Sequence, residues 1–192
     1  MDKEKIEQGV RLILEGLGED VSREGLEGTP RRIAEMYEEI FAGLKIKPVE
    51  VLTVTFAENH DEMVLLKGIP LFSICEQHLM PFVGQAHVAY IPGEDGRVTG
   101  ISKLARVVEV ASKRPQLQER LTTDIANALV EALNPAGVLI VVEAEHLCLS
   151  MRDVQKTGTI MVTSAVRGIF RTNKASRAEA LSLVKEGEES VS

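Results

Sequence analysis

A chain of 192 residues with 44% hydrophobic content can bury a sizeable core, and it reads as one domain with an N-terminal extension. A formal charge of -7 and the absence of tryptophan argue against a general nucleic-acid binder, which needs a basic face and, for single strands, aromatic platforms. No apolar run reaches transmembrane length, so no membrane partner is expected, and the charged, amphipathic start is that of a cytoplasmic protein.

Ile6, Val10, Ile13, Leu14 and Leu17 recur at helical spacing before Gly18, so the first segment is an amphipathic helix that packs on something. Thr29-Pro30 supplies a cap followed by proline in the first turn, opening a second helix through Ile33, Met36, Tyr37 and Ile40 to about Gly43. Both belong to a helical extension over residues 1–48.

From Val51 the period shortens. Val51–Phe56 and Met63–Leu66 are strand-like, with Asn59 and Gly68-Ile-Pro70 as turns. The run Phe72-Ser-Ile-Cys-Glu-Gln-His-Leu-Met-Pro-Phe82 places a Cys-x-x-His pair, Cys75 and His78, between apolar segments. Ala86–Ile91 is another strand, and Pro92-Gly-Glu-Asp-Gly96 is a hairpin-like turn before Val98. His87 within that strand reads as an ordinary sheet residue.

Ser102–Ala111 follows Gly100 as a helix with serine at its cap. Its N-terminal N–H groups, with Lys103 and Arg106 beside them, would suit an anion, although an ordinary capped helix with solvated charges has the same sequence. Arg114-Pro115 opens a long helix whose stripe is Leu117, Leu121, Ile125, Leu129 and Leu133, ended by Asn134-Pro-Ala-Gly137. Val138–Val142 is a buried strand that delivers His146 and Cys148 at its end. Thr157–Thr163 is a further strand, and a last helix, Ser176–Val184, precedes a polar tail. The pattern is α+β, with a catalytic domain over residues 49–173 and a C-terminal helix and tail over 174–192.

The two cysteines each stand near a histidine. Cys75, His78 and Cys148 would leave one position open on tetrahedral zinc, the catalytic arrangement. Spacing alone equally permits a disulfide or two buried small residues, though reduced thiols are the rule in a cytosolic chain.

Five motifs in order, Gly25-Leu-x-x-Thr-Pro-x-Arg32, Cys75-Glu-x-His78, Gly100-x-Ser-Lys-x-x-Arg106, Arg114-Pro-Gln-x-Gln-Glu-Arg-Leu-Thr122 and Glu143-Ala-x-His-x-Cys148, resemble the GTP cyclohydrolase I family. The likeness runs from about Gly25 to Phe170. It implies a tunnelling fold, with an antiparallel sheet and two consecutive helices per subunit, closed into a barrel within a homodecamer whose active sites lie at subunit interfaces. It implies hydrolysis of GTP to formate and 7,8-dihydroneopterin triphosphate, the entry to tetrahydrofolate and other pterins.

By the same resemblance Cys75, His78 and Cys148 hold Zn2+, which would activate water to attack guanine C8. His146 matches the acid/base that protonates N7. Glu119 matches the carboxylate that accepts from N1–H and the exocyclic amine of guanine, with Gln118 beside it among the substrate contacts. Ser102, Lys103, Arg106, Arg152 and Arg32 match the contacts to the triphosphate.

Three positions depart from the family pattern. Gln77 replaces a second active-site histidine assigned to the ribose and the later steps, and an amide cannot relay a proton near neutral pH. Asp153 stands where glycine is usual, and Glu35 where some members carry lysine. These leave two other readings: a non-catalytic GTP- or pterin-binding relative with a structural zinc, or an enzyme that stops at a ring-opened intermediate.

Overall fold

The computed structural model describes residues 1–53, 55–152 and 158–186, and the chain divides into two units, Met1–Ala42 and Gly43–Ser192.

The first unit is helical. Helix α1 (Lys3–Gly16) starts where the Asp2 carboxylate accepts from the Lys5 amide at 3.1 Å. A single turn, α2 (Glu24–Glu27), leads through Gly28 into α3 (Thr29–Ile40), with Pro30 in its first turn. Thr29 is already helical, and Gly28, not Thr29, is the cap. Helix α1 packs on α3 with Val10 and Ala34 buried, but Ile13 and Leu17 of the expected stripe stay largely exposed within the chain.

In the second unit the segment expected as a strand from Val51 is instead a one-turn 3-10 helix, Pro48–Val51, and only Thr55–Ala57 (β1) is extended. Proline fixes the first turn there, and Leu52 then drops into the core. Val54 lies outside the described residues.

Strand β2 (Val64–Cys75) is one long strand, where a turn at Gly68-Ile-Pro70 was expected. Gly68, at φ 70°, sits in a bulge between Leu66 and Ile69 that absorbs the irregularity without ending the strand. Strand β3 (Pro81–Ile91) returns antiparallel to it. Beyond Pro92–Gly96, β4 (Arg97–Thr99) pairs with β1 rather than folding back on β3.

Helix α4 (Ile101–Ser112) is capped by Gly100, so Ser102 lies inside its first turn and not at the cap. Pro115–Gln116 (β5) is a two-residue strand parallel to the end of β2, and it delays α5 (Gln118–Leu133) by a turn. Asn134, left-handed at φ 43°, closes α5. Strand β6 (Gly137–His146) lies between β3 and β7 (Ile160–Gly168), completing a five-stranded sheet in the order β5-β2-β3-β6-β7. Helices α4 and α5 cover one face, burying Leu104, Val107, Leu121, Ile125 and Leu129 against Leu71, Phe82, Val88 and Ile140.

The opposite face is covered at one end, where α7 (Ile169–Thr172) and α8 (Lys174–Lys185) bring Phe170 and Ala180 onto Leu139 and Val141. Asn173 caps α8, accepting from the amides of Ala175 and Ser176, so the helix starts two residues before the expected Ser176. Phe72, Val83, Ile160 and Val162 remain exposed. No helix among the described residues is long and apolar enough to cross a membrane.

Candidate metal centre and catalytic site

Strand β2 ends at Cys75, and the next residues turn tightly into β3. The Cys75 amide donates to Met80 O and the Leu79 amide to Cys75 O, both at 2.8 Å, with Leu79 left-handed at φ 52°. The turn is pinned from the side. The Glu76 amide donates to Gln116 O at 3.0 Å, and the Arg120 guanidinium grips both Glu76 carboxylate oxygens. That cation holds the Glu76 carboxyl below the usual range. Gln77 is exposed in the same turn.

Cys148 arrives from β6, but not on a strand as expected. The strand stops at His146, which pairs with Phe82, and the next position in register is Pro81, which has no N–H to extend the ladder. The chain instead coils into α6 (Leu147–Ser150), a single turn. The Glu145 carboxylate braces this turn and the start of the return toward β7, accepting from Ser150 Oγ at 2.6 Å and from the Gly158 amide at 3.3 Å, which lowers its pKa.

The two cysteine sulfurs and a ring nitrogen of His78 thereby come within 4.8 Å of one another. Both cysteines are free thiols, Cys75 buried and Cys148 half-buried. Burial pushes the Cys148 thiol up, and the neighbouring Cys75 adds to the rise while Arg152 opposes it. Arg152 also donates to His78 Nε2 at 2.7 Å. Two soft sulfurs and an imidazole in one small cluster are a donor set that suits zinc, and three ligands leave a coordination position for water or substrate.

His146 is the last residue of β6. Its ring lies parallel to Phe82, with centroids 4.6 Å apart and 4° between planes, and its Nε2 is 2.8 Å from Gln118 Oε1. Burial lowers its pKa, and the charge of Glu119 works in the opposite direction. Glu119 itself is exposed in the first turn of α5, where the helix dipole favours a carboxylate. Gln118, next to it, is buried, and its amide is spent on protein atoms, with Nε2 donating to Val142 O, Met161 O and Thr163 Oγ1.

Among the residues expected to contact phosphate, Ser102 and Lys103 lie in the first turn of α4, and Arg106 one turn on pairs with Glu109. Arg152 stands at the metal cluster, while Arg32, in the first unit, donates to Thr29 Oγ1 at 2.9 Å. Asp153 lies outside the described residues, and Glu35 is exposed on α3. The sequence alone did not single out Phe82 or the Thr122–Thr163 pair. The signal for the latter was a polar pair, Gln118 and Thr122, spaced i, i+4 on the apolar face of α5.

The profile of the GTP cyclohydrolase I family matches residues 6–185. The chain is 64% identical over 184 residues to GTP cyclohydrolase 1 of Carboxydothermus hydrogenoformans, covering 96% of this chain and 95% of that one. It is 63% identical to GTP cyclohydrolase 1 of Pelotomaculum thermopropionicum, covering 96% and 97% respectively. A crystal structure of the archaeosine synthase QueF-Like in the apo form overlaps 55% of this chain and 93% of its own, with a TM-score of 0.45 and 23% identity.

Proposed function

The chain belongs to the GTP cyclohydrolase I family, and from that premise we propose that it hydrolyses GTP to formate and 7,8-dihydroneopterin triphosphate, feeding tetrahydrofolate and pterin synthesis. The observation that carries the reading is the convergence of Cys75, His78 and Cys148 from two distant segments, within a chain similar over nearly its whole length to named cyclohydrolases.

Cys75, His78 and Cys148 would hold the ion, which we take to be zinc. Bound there, zinc would supply Lewis acidity and lower the pKa of a water toward neutrality. The protein's own side chains do the rest. Glu119, exposed at the start of α5, accepts from N1–H and the 2-amino group of guanine, and adenine lacks both donors on that edge. His146, rigid against Phe82, exchanges the proton at N7 as C8 becomes tetrahedral. Lys103, Arg106, Arg152 and Arg32, with Ser102, neutralise the triphosphate. This is how a chain of charge -7 accommodates a polyanion. Gln77 donates or accepts a hydrogen bond at the ribose without moving a proton.

The family resemblance further supports a homodecamer with active sites between subunits and a cytoplasmic setting. The test is a paired assay on purified protein: formate release together with the fluorescence of oxidised pterin. Both signals are expected. Formate alone would mean a halt at an opened intermediate, and neither would remove the enzymatic reading.

A further inference from the structure

The structure assigns Gln118 a positioning role: through its buried amide it fixes His146 as the Nε2–H tautomer, so that Nδ1 is the ring nitrogen left to exchange a proton with substrate. The catalytic consequence rests on the function proposed above; the tautomer itself does not.

The assignment comes from a hydrogen-bond chain whose directions are all determined. A hydroxyl has one proton to give. Thr122 Oγ1 donates its proton to the Gln118 main-chain carbonyl at 2.7 Å. It therefore acts as acceptor toward Thr163 Oγ1, 2.6 Å away, and the Thr163 proton is spent on it. Thr163 Oγ1 is then an acceptor for the third group it meets, the Gln118 side chain at 3.2 Å, which must present nitrogen there. Two main-chain carbonyls, Val142 O at 3.0 Å and Met161 O at 2.9 Å, require the same nitrogen. A flipped amide would set its oxygen against all three acceptors in a buried site, at the cost of unpaired polar groups. The amide oxygen accordingly faces His146 Nε2 at 2.8 Å, and an amide oxygen only accepts. His146 must donate from Nε2.

The remaining nitrogen, Nδ1, has no hydrogen-bond partner among the described residues. Stacking on Phe82 holds the ring plane, and a ring flip would set a carbon, Cε1, in place of Nε2 opposite the Gln118 oxygen. The ring thus enters the reaction with one nitrogen committed and one available. This distinguishes a positioning glutamine from a substrate contact: Gln118 touches the chemistry only through His146.

The test is 15N NMR of the metal-loaded, histidine-labelled protein, at a pH where the ring is neutral. With only four histidines in the chain, the His146 signals are identified by substitution. Long-range proton–nitrogen couplings are expected to show protonated Nε2 and bare Nδ1 in the wild type. Protonated Nδ1 overturns the assignment, and this measurement needs no variant to fold. Gln118→Met removes the acceptor while keeping the shape. The Met variant should lose the single tautomer and drop kcat on the order of 10–100-fold with zinc content retained. A Met variant with the wild-type tautomer overturns the inference. Wild-type protein with the Nε2–H tautomer that releases no formate would remove the function proposed above and leave the tautomer standing.

Discussion

Cys148 and Glu119 are held by opposite means, and their substitutions should fail in different ways. Cys148 sits half-buried against Cys75, where a neutral serine hydroxyl is a poor substitute for a soft thiolate. Cys148→Ser is expected to lower zinc content and abolish turnover, as read by metal analysis and formate release. Full activity in a metal-stripped sample would contradict the metal's role. Glu119 is exposed, so Glu119→Gln should leave zinc content and folding unchanged. Replacing one carboxylate oxygen by an NH2 donor opposite the donors of guanine should weaken GTP binding by roughly 2–4 kcal/mol. Equal affinity of the two proteins, measured by titration calorimetry, would remove Glu119 from the base site.

At the scale of elements, the β3–β6 ladder aligns the two halves of the site, since its last pair, Phe82 with His146, puts the stacking ring under the histidine. Gly84 lies two residues from that pair, where the strands approach so closely that an added Cβ would stand 1.8 Å from Glu143 O and 2.6 Å from Ala144 Cα. Both obstacles are main chain and cannot rotate away. Gly84→Ala should push β3 from β6, costing on the order of 3 kcal/mol in denaturant unfolding and lowering zinc retention. Unchanged stability would mean that the ladder yields more than its register suggests. The Glu76–Arg120 grip works at the same scale, tying the Cys75–His78 turn to the helix that carries Glu119.

For the whole molecule, the sheet ends at β7, whose outer edge has no partner strand among the described residues, and Phe72, Val83, Ile160 and Val162 are exposed on this sheet. Open edges and apolar faces favour association. Light scattering at micromolar concentration is expected to show a large symmetric assembly, ten subunits by family resemblance, and Val162→Lys should shift it toward smaller species. A monomer in the wild type would contradict the expected assembly.

What the sequence determined by itself were the features set by local pattern. The stripe of α5 comes from Leu121, Ile125, Leu129 and Leu133 at helical spacing, and the buried strand from the unbroken run Val138–Val142, because periodicity encodes which face meets the core. The donor types were equally visible in Cys75, His78 and Cys148, since residue chemistry needs no fold to be read. Tertiary structure decided the rest. The bulge at Gly68, the withdrawal of Pro115–Gln116 from the helix into a parallel pair with β2, and the end of β6 opposite Pro81 all depend on a partner strand distant in sequence. Gln118 reads locally as an ordinary polar helix residue. Only the arrival of Val142, Met161 and Thr163 from two strands, 24, 43 and 45 residues further along, fixes which end of its amide faces His146.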